Sequence, residues 1–164
     1  MRKYTAILCC IFLLTLAHAG NVQAVEPSAS RLAELQKEAE RGISFSQTLL
    51  GVWYHEGTGV PQDYAKAAYW YTKAAEQGNP YGQFLLGRLY ASGAGVPQDD
   101  FEAVKWLKKS AEQGLAEAQY YLALHHMLGR GVIRDEQKGC TLLRAAAEQG
   151  DRDAIKAYND SCAR

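Results

Sequence analysis

The sequence has no apolar run long enough to cross a membrane as a helix, which needs roughly 20 residues. Its longest apolar run, residues 6–17, follows Arg2 and Lys3 and precedes small residues up to Ala24. A short apolar run between a basic start and small residues is typical of a secretory signal peptide. We therefore predict a signal peptide over residues 1–24, cleaved after Ala19 or Ala24. The mature protein is then expected to be periplasmic or secreted, with no membrane insertion.

The sequence also lacks an excess of either charge, since 18 basic residues balance 18 acidic ones. Removal of Arg2 and Lys3 with the signal peptide leaves 16 against 18, a net charge near −2. Nucleic-acid-binding proteins carry a basic patch or stripe, and nothing of that kind is present. The signs alternate along the predicted helices, which indicates a solvated surface. The composition therefore predicts no nucleic-acid partner.

Motifs for catalysis, metals and cofactors are missing as well. The sequence has no G-x-S-x-G, S-x-x-K, phosphate-binding loop or H-E-x-x-H. His125 and His126 are adjacent, so on a helix their side chains point about 100° apart and do not face one metal ion. We therefore predict no catalytic residue, no metal and no cofactor, and we do not expect an enzyme.

What the sequence does contain is a repeat with a period of 36 residues. The motif Ala-Glu-x-Gly begins at residues 39, 75, 111 and 147, and 17 of 36 positions are identical between 39–74 and 75–110. A period of this size indicates a solenoid. We divide the chain into a linker and N-terminal capping helix (25–38), three repeats (39–74, 75–110 and 111–146), and a C-terminal half-repeat or capping helix (147–164).

Each repeat reads as two antiparallel helices joined by a glycine turn. The turns are EGTGVPQD, SGAGVPQD and LGRGVIRD, and each ends in an aspartate that is placed to cap the second helix, namely Asp63, Asp99 and Asp135. The second helices carry a stripe of small, large and small residues, in which Trp70 and Trp106 are expected to fill the core. The predicted fold is all-α, a short right-handed α-solenoid that is similar to tetratricopeptide repeats.

With the motifs A-x-x-L-G-x-x-Y, G-x-G-V and D-x-x-x-A-x-x-W-x-x-x-A-A-E-Q-G, residues 39–150 closely resemble the Sel-one-like repeat family. The third repeat departs from the pattern at His126, Ile133 and Leu142. The resemblance implies a scaffold that binds other proteins. We therefore expect an exported adaptor with a protein or peptide partner. The alternative is an envelope enzyme or glycan-binding accessory of cell-wall metabolism, which is disfavoured because the tryptophans are expected in the core.

The relation to tetratricopeptide repeats implies a partner groove along the first helices, on the concave face of the solenoid. Transferred to this sequence, the groove residues are Phe45, Val52, Tyr81, Phe84, Arg88, Tyr120 and Leu124. Arg88 is a candidate contact for a carboxylate of the partner. In the alternative interpretation the aromatic residues pack against neighbouring repeats and Arg88 is simply solvated.

Only two cysteines remain after signal cleavage, Cys140 and Cys162, because Cys9 and Cys10 lie inside the apolar run. An even number of cysteines in an exported protein favours a disulfide. Cys140 is early in the last second helix and Cys162 is near the end of the following antiparallel helix. We therefore predict a disulfide between them, with two free buried thiols as the alternative.

Overall fold

The computed structural model describes residues 29–163, and the predicted signal peptide and the first residues of the linker lie outside this range. The described residues form helices only, with no strand. None of these helices is both long and apolar enough to span a membrane. The helices are α1 (Ala29–Glu40), α2 (Ser44–Glu56), α3 (Tyr64–Glu76), α4 (Pro80–Ser92), α5 (Asp100–Glu112), α6 (Ala116–Leu128), α7 (Glu136–Glu148) and α8 (Arg152–Ser161).

Helices α2 to α7 form three antiparallel pairs, α2 with α3, α4 with α5, and α6 with α7. Each pair also packs on the next one, so that the pairs stack into a short right-handed α-solenoid. Helix α1 covers one end of the stack and α8 covers the other. The predicted all-α solenoid is therefore confirmed.

Aspartates start the second helix of each pair, as the sequence predicts. The carboxylate of Asp63 accepts from the backbone N–H of Lys66 at 2.9 Å. Asp135 caps α7 in the same way, and Asp99 caps α5 through two backbone N–H groups. These bonds satisfy donors that have no partner inside the helix. Three caps in the same register therefore fix where each second helix begins.

The two glycines of each turn have different structural roles. Gly93 ends α4 in a left-handed conformation (φ 74°), which an L-residue adopts only at a cost. Gly95 also has positive φ, and a Cβ at this position would collide with the backbone carbonyl of Tyr64 at the start of α3. The second glycine therefore lets the second and third turns lie directly against the preceding repeat, through Gly95 and Gly131.

The core of the second helices is centred one residue later than the sequence predicts. Trp70 and Trp106 are half-buried, whereas Tyr71 and Leu107 are almost fully buried. At 100° per residue, Tyr71 lies closer than Trp70 to the centre of the stripe that Ala67 begins. The tryptophans lie at the flank of the stripe and pack against the core toward the preceding repeat, so they fill space between helices as predicted, while Tyr71 and Leu107 form the centre.

Glutamines link the two helices of each pair to one another and each pair to the helix that precedes it. Gln113, which follows α5, donates to the side-chain oxygen of Gln83 at 2.8 Å, and Gln83 donates to the carbonyl of Ala75 at 3.2 Å. The glutamine-to-glutamine bond occurs three times, as Gln77 to Gln47, Gln113 to Gln83 and Gln149 to Gln119. We call this series the glutamine relay. It gives the buried side chains of Gln47 and Gln83 a partner.

A disulfide fastens the last helix. Cys140 on α7 and Cys162 just after α8 are bonded, with their Cα atoms 5.7 Å apart. Helix α8 places Ala154 in the core beside Leu143 and Ala146 of α7. The structure therefore contains the disulfide that the sequence predicts, and the bond ties the end of α8 to α7.

Candidate partner-binding face

The first helices of the repeats line one face of the solenoid, and a depression of about 400 Å³ lies between α2 and α4. Its walls are mainly apolar. The lining residues are Phe45, Thr48, Leu49, Val52, Asn79, Tyr81 and Leu85. Three predicted groove residues, Phe45, Val52 and Tyr81, are therefore brought together here.

Two aromatic rings stand exposed at this depression. Phe45 is 70% exposed and Tyr81 is 53% exposed, and the two occupy equivalent positions 36 residues apart. Neither ring belongs to the buried clusters of the described core. Large apolar surface that a fold does not bury is a common mark of a binding site when it lines a concave region.

A second depression, of about 220 Å³, continues from the first toward α6. It is lined by His55, Leu85, Arg88, Leu89, Ala91, Ser92, Leu107 and Tyr121. Leu85 lines both depressions, so they adjoin at this residue and extend together from Phe45 to Tyr121. We call the two together the inner trough. Its apolar half lies on α2 and α4, and its charged half contains Arg88.

Arg88 is held in place by aromatic rings. Its guanidinium lies 5.7 Å from the ring centre of Phe84 and 5.2 Å from that of Tyr121, distances at which cation–π attraction operates. Within residues 29–163, no carboxylate lies within ion-pair distance of this guanidinium. The positive charge is therefore oriented by neutral groups and remains available to a ligand.

Two predicted groove residues serve the core instead. Phe84 is only 7% exposed and packs with Leu107 and Leu122, between the second and third repeats. Tyr120 packs toward Ala154 on α8, and burial raises the pKa of its phenol. The two residues are 36 positions apart, and this position of the first helix points toward the next repeat. Assigning the buried Phe84 to the groove surface was therefore wrong, whereas Tyr120 is half-buried and lines neither depression.

Two residues that line the inner trough, Leu85 and Tyr121, were not predicted from the sequence. Each follows one of the aromatics Phe84 and Tyr120 by one position, which rotates the side chain by about 100° onto the open face. Leu124, another predicted groove residue, is half-buried and lines neither depression. The neighbouring repeat decides which of these side chains are buried. The sequence of a single helix does not show this.

Comparison with known families agrees with this architecture. Three consecutive stretches of the chain, residues 44–79, 80–115 and 116–151, match the sequence profile described as the Sel1 repeat. These stretches make up well over half of the 164 residues.

The chain belongs to the Sel1 repeat family.

The family profile begins each Sel1 repeat at the first helix of a pair, at residue 44, whereas our division begins at residue 39. The period is the same, so the two divisions differ only in where one unit is taken to start. Sel1 repeats form scaffolds that generally mediate protein–protein interactions. A comparison with curated proteins found no match.

Solved structures with the same architecture come from several bacteria. A protective antigen of uropathogenic Escherichia coli with an SLR fold aligns with a TM-score of 0.74 at 40% identity, over 76% of this chain and 27% of the antigen. A Sel1 repeat protein from Oxalobacter formigenes aligns at 0.71 and 34% identity, over 79% and 97% of the two chains. The chain therefore spans about a quarter of the Escherichia coli antigen.

A more distant neighbour, the cysteine rich protein B of Helicobacter pylori, aligns with a TM-score of 0.61 at 21% identity. The alignment covers 79% of this chain and 96% of that protein. At this level of identity, the similarity concerns the fold alone.

The adjacent histidines of the third Sel1 repeat are both buried. Nδ1 of His125 lies 2.8 Å from the carbonyl oxygen of Arg130, whereas Nδ1 of His126 has no hydrogen-bond partner. Burial lowers the pKa of His126, Lys138 and His125 lower it further, and Asp135 opposes them. Within residues 29–163 no group of three or more His, Cys, Asp or Glu side chains is arranged to hold a metal ion.

Proposed function

We propose that this protein is an exported, non-catalytic adaptor that binds a segment of a protein partner in the inner trough. The observation that carries the proposal is the continuity of the trough. Two exposed aromatic rings, Phe45 and Tyr81, lie at one end and an unpaired guanidinium, Arg88, lies at the other. Exposed aromatic residues and arginine are the side chains that most often dominate binding energy at protein interfaces.

The shape of the trough favours an extended segment as the ligand. The trough runs across α2, α4 and α6, and the inner surface of a stacked solenoid is a surface on which such repeats bind partners. An extended chain presents alternate side chains to the two walls, which suits a row of separate depressions. Families of this kind generally mediate protein–protein interactions, which supports the proposal.

Export is supported by the disulfide and by the predicted signal peptide. Disulfides persist in oxidising compartments such as the periplasm or the extracellular space. The Cys140–Cys162 bond is therefore in keeping with a mature protein outside the cytoplasm. Mass spectrometry of the protein from an envelope fraction tests this point, because we expect an N-terminus after Ala19 or Ala24. A full-length N-terminus in the cytoplasmic fraction would contradict export.

The binding proposal is tested with two matched variants of the mature protein. In the trough variant, Phe45→Ser and Tyr81→Ser remove both exposed rings. In the control variant, Tyr69→Ser and Phe101→Ser remove two rings that are also exposed, 55% and 76%, but lie on second helices. We expect a partner recovered from envelope extract to be lost from the trough variant and retained by the control.

Two results of this experiment would contradict different parts of the proposal. Equal recovery by the trough variant and the control variant would contradict binding in the inner trough. Retention on peptidoglycan alone, with no stoichiometric protein, would contradict the adaptor function. Phe84 and Tyr120 are unsuitable for this test, because their replacement removes core contacts and lowers stability whether or not a partner binds.

A further inference from the structure

The third repeat differs from the other two at one place in its packing. Where the first and second repeats have Tyr54 and Tyr90 on the first helix, the third has His126. Where they have Trp70 and Trp106 on the second helix, the third has Leu142. Histidine is smaller than tyrosine and leucine is smaller than tryptophan. The third repeat therefore has less side-chain volume at this place than the other two.

In the first two repeats this place is filled. Tyr90 and Trp106 pack against the cluster that contains Ala68, Ala75 and Leu86. Tyr54 and Trp70 pack in the same way against the cluster of Leu35, Ala39 and Leu50. The indole and phenol rings thus occupy the space between one second helix and the following repeat.

In the third repeat the same space is open. A cavity of about 410 Å³ lies between α5, α6 and α7. Its lining residues are Val104, Lys108, Ala111, Glu112, Leu122, His126, Val132, Lys138 and Leu142. Six of these are the counterparts, 36 residues on, of the residues that meet around Trp106: Ala68, Ala75, Leu86, Tyr90, Val96 and Trp106 itself. We call it the third-repeat cavity.

The walls of the third-repeat cavity are apolar at the base and charged at the rim. Leu122 and Leu142 belong to the base, together with valine and alanine side chains. His126 forms a wall, and its Nδ1 atom is buried without a hydrogen-bond partner in the described part of the chain. An apolar cavity of about 150 Å³ is already large enough to bind benzene, so the observed volume accommodates a two-ring aromatic group.

The rim carries a net positive charge. Lys108 faces Glu112 at 3.8 Å, and both side chains are more than 60% exposed, so this pair is weak. Lys138 has no ion pair within residues 29–163. An acidic group at the mouth of the cavity is therefore complementary to Lys138, while a basic group is not.

We infer that the third-repeat cavity binds a small aromatic acid. The aromatic ring lies where the other repeats place the indole of tryptophan, and the carboxylate lies at Lys138. The cavity shares no lining residue with the inner trough, so this site is independent of the proposed partner-binding function. It gives one repeat of the solenoid a small-molecule site that the other two fill with their own side chains.

The test uses indole-3-acetate and indole as probes on the mature protein, with binding followed by calorimetry and by NMR signals of the His126 ring. We expect saturable binding of indole-3-acetate to the unmodified protein. Leu142→Trp supplies the missing ring and is expected to weaken binding at least tenfold. His126→Tyr fills the cavity from the other side and is expected to weaken binding as well, which keeps the test valid if one variant does not fold.

The charge of the rim is tested by matched lysine variants. Lys138→Gln is expected to weaken indole-3-acetate binding about two- to fivefold, the effect of an exposed ion pair, and to leave indole binding unchanged. Lys66→Gln is the control, since Lys66 has the same position in the first repeat, where Trp70 fills the space. Equal effects of the two lysine variants would overturn the role of Lys138. Absent binding to the unmodified protein, or equal binding to Leu142→Trp, would overturn the site.

Discussion

Removal of the Cys140–Cys162 disulfide is expected to release one helix and leave the rest of the solenoid folded. The bond closes a loop with a sequence separation of 22 residues. In the chain-entropy account, a loop of this length contributes about 3 kcal/mol. Helix α8 has ten residues, and Ala154 is the one among them that is fully buried. Because short isolated helices are marginal in water, α8 depends on the disulfide for much of its stability.

The effect should remain local because of the way repeats stack. Each unit of a solenoid contacts mainly its neighbours, so stability is close to a sum of repeat and junction contributions. Helix α8 packs on α7, and the repeat at residues 80–115 is remote from it. Loss of about 3 kcal/mol at α8 therefore corresponds to roughly 100-fold less protection from hydrogen exchange there. Protection in residues 80–115 should not change.

Hydrogen exchange with mass spectrometry measures this directly on the oxidised protein and on the Cys140→Ser, Cys162→Ser variant. The reduced unmodified protein is the control, because it loses the bond without losing the cysteines and should behave like the variant. Unchanged exchange in residues 152–161 would refute the dependence of α8 on the disulfide. Faster exchange throughout residues 44–128 would refute the local character of the effect.

Three further predictions concern the turns, the glutamine relay and the buried histidine. Gly95→Ala should lower the free energy of unfolding by about 1 to 3 kcal/mol more than Gly114→Ala in urea titrations, because both have positive φ but only Gly95 faces a backbone carbonyl. Gln83→Leu should cost about 1 kcal/mol in the same assay, since it removes the bond from Gln83 to the carbonyl of Ala75 and the bond from Gln113 to Gln83; an unchanged midpoint would contradict the relay. For His126, whose folded-state pKa is lowered, the unfolded chain takes up the proton first, so stability should fall as pH drops below about 6.5, and His126→Phe should flatten that slope.

Structural features that are determined within a single repeat could be predicted from the sequence. The 36-residue period, the capping aspartates and the left-handed glycines are local signals that recur three times, and the cysteines follow once the helices are known to be antiparallel. The inner trough was only partly accessible. Its apolar end, with Phe45 and Tyr81, was predicted from the first helices, and so was the place of Arg88 in it.

The remaining positions were missed for a geometric reason. A helix in a solenoid contacts its partner in the repeat and also the repeats before and after it, so more than one stripe of its surface is buried. Periodicity marks apolar residues without saying which neighbour covers them. Phe84 and Leu85, or Trp70 and Tyr71, are equally apolar neighbours in the sequence, and only the stacking of repeats decides which of each pair is buried.

Because the same glutamine hydrogen bonds recur along the solenoid, the number of repeats can change without a new kind of junction. At each junction the glutamine of a first helix donates to a carbonyl of the preceding second helix, as Gln47 to Ala39, Gln83 to Ala75 and Gln119 to Ala111, so a junction does not depend on how many repeats precede or follow it. Duplication of residues 80–115 in tandem should therefore add one repeat without altering its neighbours, and it should lengthen the inner trough by one segment. The third-repeat cavity instead depends on His126 and Leu142, which stand where residues 80–115 have Tyr90 and Trp106. Growth of the chain by duplication would thus extend the protein-binding surface while the number of small-molecule sites stays at one.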